Sequence, residues 1–178
     1  MKIKIALLSI FYLLAFSCQV NEPRRPLNKD EFVFLKNSAK RNKIRVLKEQ
    51  KLIYKASKKD TLNIFKNSPL GFLYSIKSSN QNTVITKKGD LVEIQYKIED
   101  LDQNILYDKE YLQNIKFLVD KEEVIPALRE GVKLLKEGET GVFLFPSHFC
   151  YGYQGDFEKI VSNQPLRFTI NLVSLTNK

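Results

Sequence analysis

The chain has 178 residues, 43% of them hydrophobic, with 29 Lys and Arg against 20 Asp and Glu and a formal net charge of +9. That length buries one sizeable core, so one compact domain plus an appendage is expected rather than two full domains. It holds no apolar run of about eighteen residues to cross a bilayer as a mature helix, and its 2 cysteines are too few for a disulfide framework.

Lys2 and Lys4 precede an apolar run from Ile5 to Phe16 that ends at Ser17-Cys18. A charged start, a short apolar stretch and small residues at the end make an export signal over residues 1–17, an address rather than part of the fold. "LAFSC" resembles the lipobox of bacterial lipoproteins, which makes Cys18 a lipid attachment site and the chain a lipid-anchored, periplasmic protein of the cell envelope. Ala15 and Phe16 stand where lipoproteins prefer Leu and a small residue, and Ala15-Phe16-Ser17 also serves as an ordinary cleavage site. Residues 18–28, with two prolines, read as an extended tether.

Residues 29–66 read as a basic helical extension. Lys29 to Lys59 contains no Gly or Pro, and apolar residues recur at helical spacings, giving one helix or two with a break near Arg41-Asn42. From Lys36 to Lys59 ten residues are basic and only Glu49 is acidic, so the net charge of the whole chain is concentrated there. Such a face either lies along anionic headgroups or is simply solvated. Nucleic acid is not expected as a partner, because no recognised binding motif accompanies the charge.

Residues 67–88 hold a short apolar run, Phe72 to Ile76, and a polar linker. From residue 89 to 178 the pattern changes. Val92, Ile94, Tyr96 and Ile98 alternate with polar residues, as a strand with one buried face requires. Asp102-Gln103-Asn104 signals a turn, Ile105 to Asp108 a returning strand, and Lys116 to Val119 a third. Pro126 opens "PALREGVKLLKEG", a short helix ending before Gly138. Gly141 to Phe145 and Leu166 to Leu175 are strong strands. The pattern is α+β: a curled antiparallel sheet packed on one short helix.

"FPSHFCYGYQG", Phe145 to Gly155, puts the only histidine, His148, two residues from Cys150. The pair reads as nucleophile and base, as half of a metal site, or as the surroundings of a pocket. Zinc wants about four ligands, and one His with one Cys cannot supply them. A Cys–His dyad needs an orienting third group and oxyanion donors that the sequence does not identify. No metal and no cofactor is expected.

Residues from about Thr86 to Leu175 resemble FK506-binding-protein-type peptidyl-prolyl isomerases. The segments "KKGDLVEIQYKIED", "LYD", "EEVIPALREGVKLLKEGE", "FLFPSHFCYGYQG" and "PLRFTINLVSL" follow that family's order and spacing. With its leader and helical extension, the whole chain further resembles the lipoprotein isomerases associated with gliding motility. The resemblance implies an FKBP-like fold, proline-containing polypeptides as substrates, and a hydrophobic cup for the proline ring. Tyr96, Phe117, Val124, Ile125, Leu128, Tyr151 and Phe168 would line the cup, and Tyr107 and Asp108 would stand on its rim. Ile160 would cover one side, while the Ile125 N–H and the Tyr151 hydroxyl would bond carbonyls of the peptide. Asp108, Ile125, Tyr151 and Phe168 are the candidate catalytic residues; for Asp108 the alternatives are holding a tyrosine hydroxyl or orienting the rim. Leu128 stands where many members have Trp, Tyr107 and Ile115 each replace a Phe, and Lys159 to Ser162 lacks the usual prolines, so a wider, less aromatic cup is expected.

Taken singly, an inward aromatic such as Tyr96, Phe117 or Phe168 is core packing, Asp108 a strand-end carboxylate and Tyr151 a loop aromatic. Their joint order makes the pocket. Three readings follow: an isomerase assisting the folding of exported envelope proteins, a non-catalytic module binding proline segments within an envelope assembly, and a holdase in which the basic helices carry the function.

Overall fold

The computed structural model describes residues 29–77 and 84–176, with side chains from Val33 onward. The expected signal segment 1–17, Cys18 with its lipid, the tether 18–28 and linker residues 78–83 lie outside the described residues. Helix α1 runs unbroken over Lys29–Lys59. Arg41 and Asn42 are both helix-compatible, and without Gly or Pro nothing interrupts the hydrogen-bond ladder there. No described helix is long and apolar enough to cross a membrane.

Contacts divide the chain into two units, Met1–Lys40 and Arg41–Lys178. What is described of the first is the beginning of α1. The second holds the rest of α1 and seven strands: β1 Lys66–Asn67, β2 Leu73–Ile76, β3 Leu91–Glu99, β4 Ile105–Tyr107, β5 Ile115–Leu118, β6 Thr140–Phe145 and β7 Leu166–Thr176. Helix α2 spans Lys109–Leu112 and α3 Pro126–Val132. A 3-10 turn at Ser147–Phe149 follows β6.

The strands form one antiparallel sheet in the order β1-β2-β6-β7-β3-β4, with β5 also on β3. β7 pairs with β3 from Leu91↔Thr176 to Glu99↔Arg167 and with β6 from Thr140↔Asn171 to Phe145↔Leu166. The alternation in β3 decides its faces: Val92, Ile94, Tyr96 and Ile98 are buried and the residues between them less so. Helix α3 begins with Pro126 at its first turn and buries Ala127, Leu128, Gly131 and Val132. Gly131 permits the close approach, since a Cβ there would stand 2.8 Å from Ile170 Cδ1. The core beneath it includes Phe143, Phe145, Phe168, Ile170 and Leu172. Each such side chain contributes roughly 1.5–3 kcal/mol of transfer free energy.

The sequence places a helical extension over 29–66, separate from a domain starting at 89. Contacts instead separate at Lys40/Arg41. Two features put the intervening segments inside the second unit. β2 continues the sheet beside β6, from Leu73↔Leu144 to Ile76↔Gly141. Asp60, just beyond α1, forms a buried ion pair with Arg167 of β7, which also bonds Glu99 of β3 at 3.2 Å. Neither partnership leaves a mark in local periodicity.

Candidate active site

The inward parity of β3 and β7 brings Tyr96 and Phe168 together, their rings stacked at 6.4 Å and 10°. Phe168, opposite Ile98 on one side and Phe143 on the other, is wholly buried and meets Phe145 edge-on at 5.7 Å. Phe117 reaches the same cluster from β5, Leu128 from the first turn of α3, and Ile160 from the loop before β7; all three are buried. Val124, Ile125 and Tyr151 pack on this cluster while staying partly exposed. Ile125 is extended, with φ −54° and ψ 138°, and its carbonyl accepts the Leu128 and Arg129 N–H groups that start α3. Among the described backbone–backbone hydrogen bonds none uses the Ile125 N–H.

Tyr151 is delivered by the turn after β6. The Gly152 N–H bonds the Ser147 carbonyl at 2.9 Å, and Gly155 bonds back to Tyr151 at 3.3 Å. Gly155 has φ +71°, and a Cβ there would come within 2.2 Å of the Ile160 carbonyl oxygen, so only glycine lets the two sides of this loop cross. Burial, with the nearby Tyr96, Asp156 and Cys150, pushes the Tyr151 hydroxyl up to about 12. It is therefore a neutral donor throughout the physiological range.

The loop's other side is fixed by Asp156. Its Oδ1 accepts the N–H groups of Glu158, Lys159 and Ile160 at 2.9, 3.0 and 2.8 Å, and its Oδ2 accepts the Tyr107 hydroxyl. Burial alone would raise the Asp156 carboxyl, but the Tyr107 hydroxyl and these N–H groups outweigh it and hold it below its ordinary value. The same bond, then burial, pushes the Tyr107 phenol up. Tyr107 is buried, with Tyr111 5.3 Å away and the Lys159 ammonium 4.7 Å over its ring.

The profile of one family, described as FKBP-type peptidyl-prolyl cis-trans isomerase, matches residues 83–173. This chain belongs to that family. Over 110 residues it is 32% identical to a Neisseria meningitidis protein named "Probable FKBP-type peptidyl-prolyl cis-trans isomerase FkpA", covering 62% of this chain and 40% of that one. Over 112 residues it is 34% identical to FK506-binding protein 2 of Yarrowia lipolytica, covering 61% of this chain and 75% of the other. The fold is that of a peptidyl-prolyl cis-trans isomerase from Pseudomonas syringae solved by crystallography, with a TM-score of 0.61 at 20% identity over 76% of this chain and 96% of that one.

Asp108 directly follows Tyr107 at the end of β4. It is exposed, and its Oδ1 accepts the Tyr111 N–H at 2.8 Å, capping α2. Among the described hydrogen bonds it is Asp156, not Asp108, that takes a tyrosine hydroxyl. Sequence reading passes over Asp156; the available signal was an aspartate directly after a glycine, a residue type that bonds N–H groups two to four positions on.

His148 is exposed, its ring 4.6 Å from that of Phe149. Cys150 is a buried free thiol, and burial, followed by the charge of Glu49, pushes its ionisation well up. A thiol held protonated is a poor nucleophile. Glu49, also unassigned by sequence reading, reaches the same turn from α1 and accepts both the N–H and the hydroxyl of Ser147, each at 2.9 Å.

Proposed function

We propose that this family member accelerates cis–trans isomerisation of X–Pro peptide bonds, with proline-containing polypeptides as substrates. The observation that carries the reading is that Val124, Ile125 and Tyr151 stay partly exposed while packing on the core that holds Tyr96, Phe117, Leu128, Ile160 and Phe168. Rotation about the imide is opposed by a barrier of about 18–20 kcal/mol from amide resonance. No bond is made or broken, so neither nucleophile nor proton transfer is required; the twisted amide must be held better than either planar form. A thousandfold acceleration asks for about 4 kcal/mol.

The apolar cluster contributes by taking water from the imide carbonyl, which disfavours the charge-separated resonance form. The Ile125 N–H and the Tyr151 hydroxyl fix the neighbouring carbonyls and hold the segment turned. Val124, Ile125 and Tyr151, with Tyr96, bound the proline ring, and the buried Phe168, Phe117 and Leu128 back them. Tyr107 and Ile160, joined through Asp156, bound the open side, and Asp108 acts on the rim only through α2. The setting proposed is the cell envelope, with the chain tethered by lipid at Cys18 and acting on exported proteins or on an envelope assembly such as one for gliding. The leader pattern and the Cys18 motif support that setting.

The test is line-shape or exchange NMR on a proline peptide with the full-length protein. Faster cis–trans exchange is expected, and slower exchange after Tyr151→Phe or Phe168→Ala. Binding without acceleration would make the protein a proline-segment adaptor instead. For the setting, metabolic labelling with a fatty acid should mark the wild type and not Cys18→Ala; unlabelled wild type removes the anchor.

A further inference from the structure

Five residues from three segments close into a ring that passes through the N–H and the carbonyl of Gly152, the residue after Tyr151. Glu49 takes the Ser147 N–H and hydroxyl, and the Ser147 carbonyl takes the Gly152 N–H at 2.9 Å. The Gly152 carbonyl takes the Asn163 N–H at 2.7 Å, and Asn163 Oδ1 takes an Nη1–H of Arg45. Arg45 Nε lies 3.7 Å from Glu49 Oε1, which completes the circuit.

The ring is anchored on a stiff element. Arg45 and Glu49 stand one helical turn apart on α1, and Glu49 is 4% exposed although it is the only acid between Lys36 and Lys59. The other members have little rigidity of their own. Gly152 has φ +59° and Asn163 φ +56°, left-handed conformations that both residue types adopt readily but do not enforce, so the ring's hydrogen bonds are what select them. Tyr151 shares its C-terminal peptide unit with the Gly152 N–H that Ser147 holds, so the ring fixes the backbone from which the Tyr151 side chain departs. Every member lies within Arg41–Lys178.

We infer that the Arg45–Glu49 pair of α1 positions Tyr151, setting the spacing between the turn after β6 and the loop before β7 and so aiming the hydroxyl that holds the bound peptide. This rests on the reading of Tyr151 as a peptide donor. It assigns α1 a role in the isomerisation itself that residues 83–173, the part shared with the family, cannot supply. Neither residue touches substrate; both are positioning residues.

The experiment uses the full-length protein with ring-labelled tyrosine and the substitutions Glu49→Ala and Arg45→Met, each made alone and together with Tyr151→Phe. Because both residues act through the Tyr151 hydroxyl, either single variant should lower kcat/KM for a proline peptide by no more than Tyr151→Phe does, about three- to tenfold. That fall should shrink to within about twofold when Tyr151→Phe is already present, the non-additivity expected of residues acting through one group. The Tyr151 ring signals should move in both single variants while those of Tyr96 and Tyr107 stay. Glu49→Gln, whose amide can still meet both groups of Ser147, should recover most of the loss. An equal fall with and without Tyr151→Phe, or an unmoved Tyr151 signal, overturns the inference. Should Glu49→Ala fail to fold, Arg45→Met decides alone, its side chain being 36% exposed. A wild type without turnover defeats the functional reading instead, and the ring signals then judge the inference by themselves.

Discussion

Replacing Asp60 with Asn should cost the second unit about 3 kcal/mol. Both Asp60 oxygens are occupied by donors: Arg167 and Asn63 Nδ2 on Oδ2, and Leu62 N–H and Asn63 Nδ2 on Oδ1. An amide must therefore turn its own N–H groups toward a donor whichever way it faces. The Arg167 and Asp60 side chains are 7% and 2% exposed, so water cannot repair the mismatch. Removing one partner of a buried pair costs about 3–5 kcal/mol, and Glu99, still bonded to Arg167, keeps the cost at the low end. At about 2–4 °C per kcal/mol for a domain of this size, melting should fall by roughly 6–12 °C. Burial would raise the Asp60 carboxyl, but Arg167 and Asn63 outweigh it, so the folded value lies below the ordinary one. That stabilisation is present above the unfolded value near 4 and is lost as pH falls through the folded one. Circular-dichroism melts of wild type and Asp60→Asn should thus differ most near neutrality and converge below about pH 4. A drop under 2 °C at pH 7, or a gap that widens in acid, refutes this account of why Asp60 belongs to the unit.

Tyr151→Phe removes one neutral hydrogen bond and should lower kcat/KM in the exchange assay by about 3- to 10-fold, leaving melting within about 2 °C. Asp156→Ala frees three N–H groups and the Tyr107 hydroxyl, so amide exchange at residues 158–160 should accelerate at least tenfold and peptide affinity should weaken by a similar factor. Tyr107→Phe, which keeps those N–H bonds, should leave exchange at residues 158–160 near wild type. The double substitution His148→Ala with Cys150→Ala should keep kcat/KM within about twofold, because neither group takes part in the chemistry; a hundredfold loss would restore the dyad as a candidate.

The alternation of Val92, Ile94, Tyr96 and Ile98 and the proline-started helix at Pro126 are local patterns, and both elements stand where the sequence puts them. α3 is shorter than expected because the chain turns after Val132, where Leu134 and Leu135 bond back only three residues. Tyr96, Phe117 and Phe168 fall on inward strand positions and Leu128 in the first turn of a helix, so their burial follows from local pattern, whereas Tyr151 and Ile160 lie in loops and have no such signature. The polar partners have none either. Glu49 is conspicuous in a basic run, yet Ser147 lies 98 residues away; Asp60 and Arg167 are 107 apart. Asp108 and Asp156 could be told apart only by which side chain the loops bring against Tyr107, and loop crossings carry no periodic signature.

The position of β7 has a consequence for how the molecule comes into being. It pairs along its length with β3 and over Leu166–Asn171 with β6, yet follows every other strand in chain order. A nascent chain emerging from a ribosome or a translocation pore therefore cannot close the sheet until Thr176 is free, because the middle of the sheet is the last piece to arrive. Completing the sheet then depends on long-range pairing of β7 with β3, the slow and aggregation-exposed kind, so the earlier strands wait with unpaired edges until it arrives.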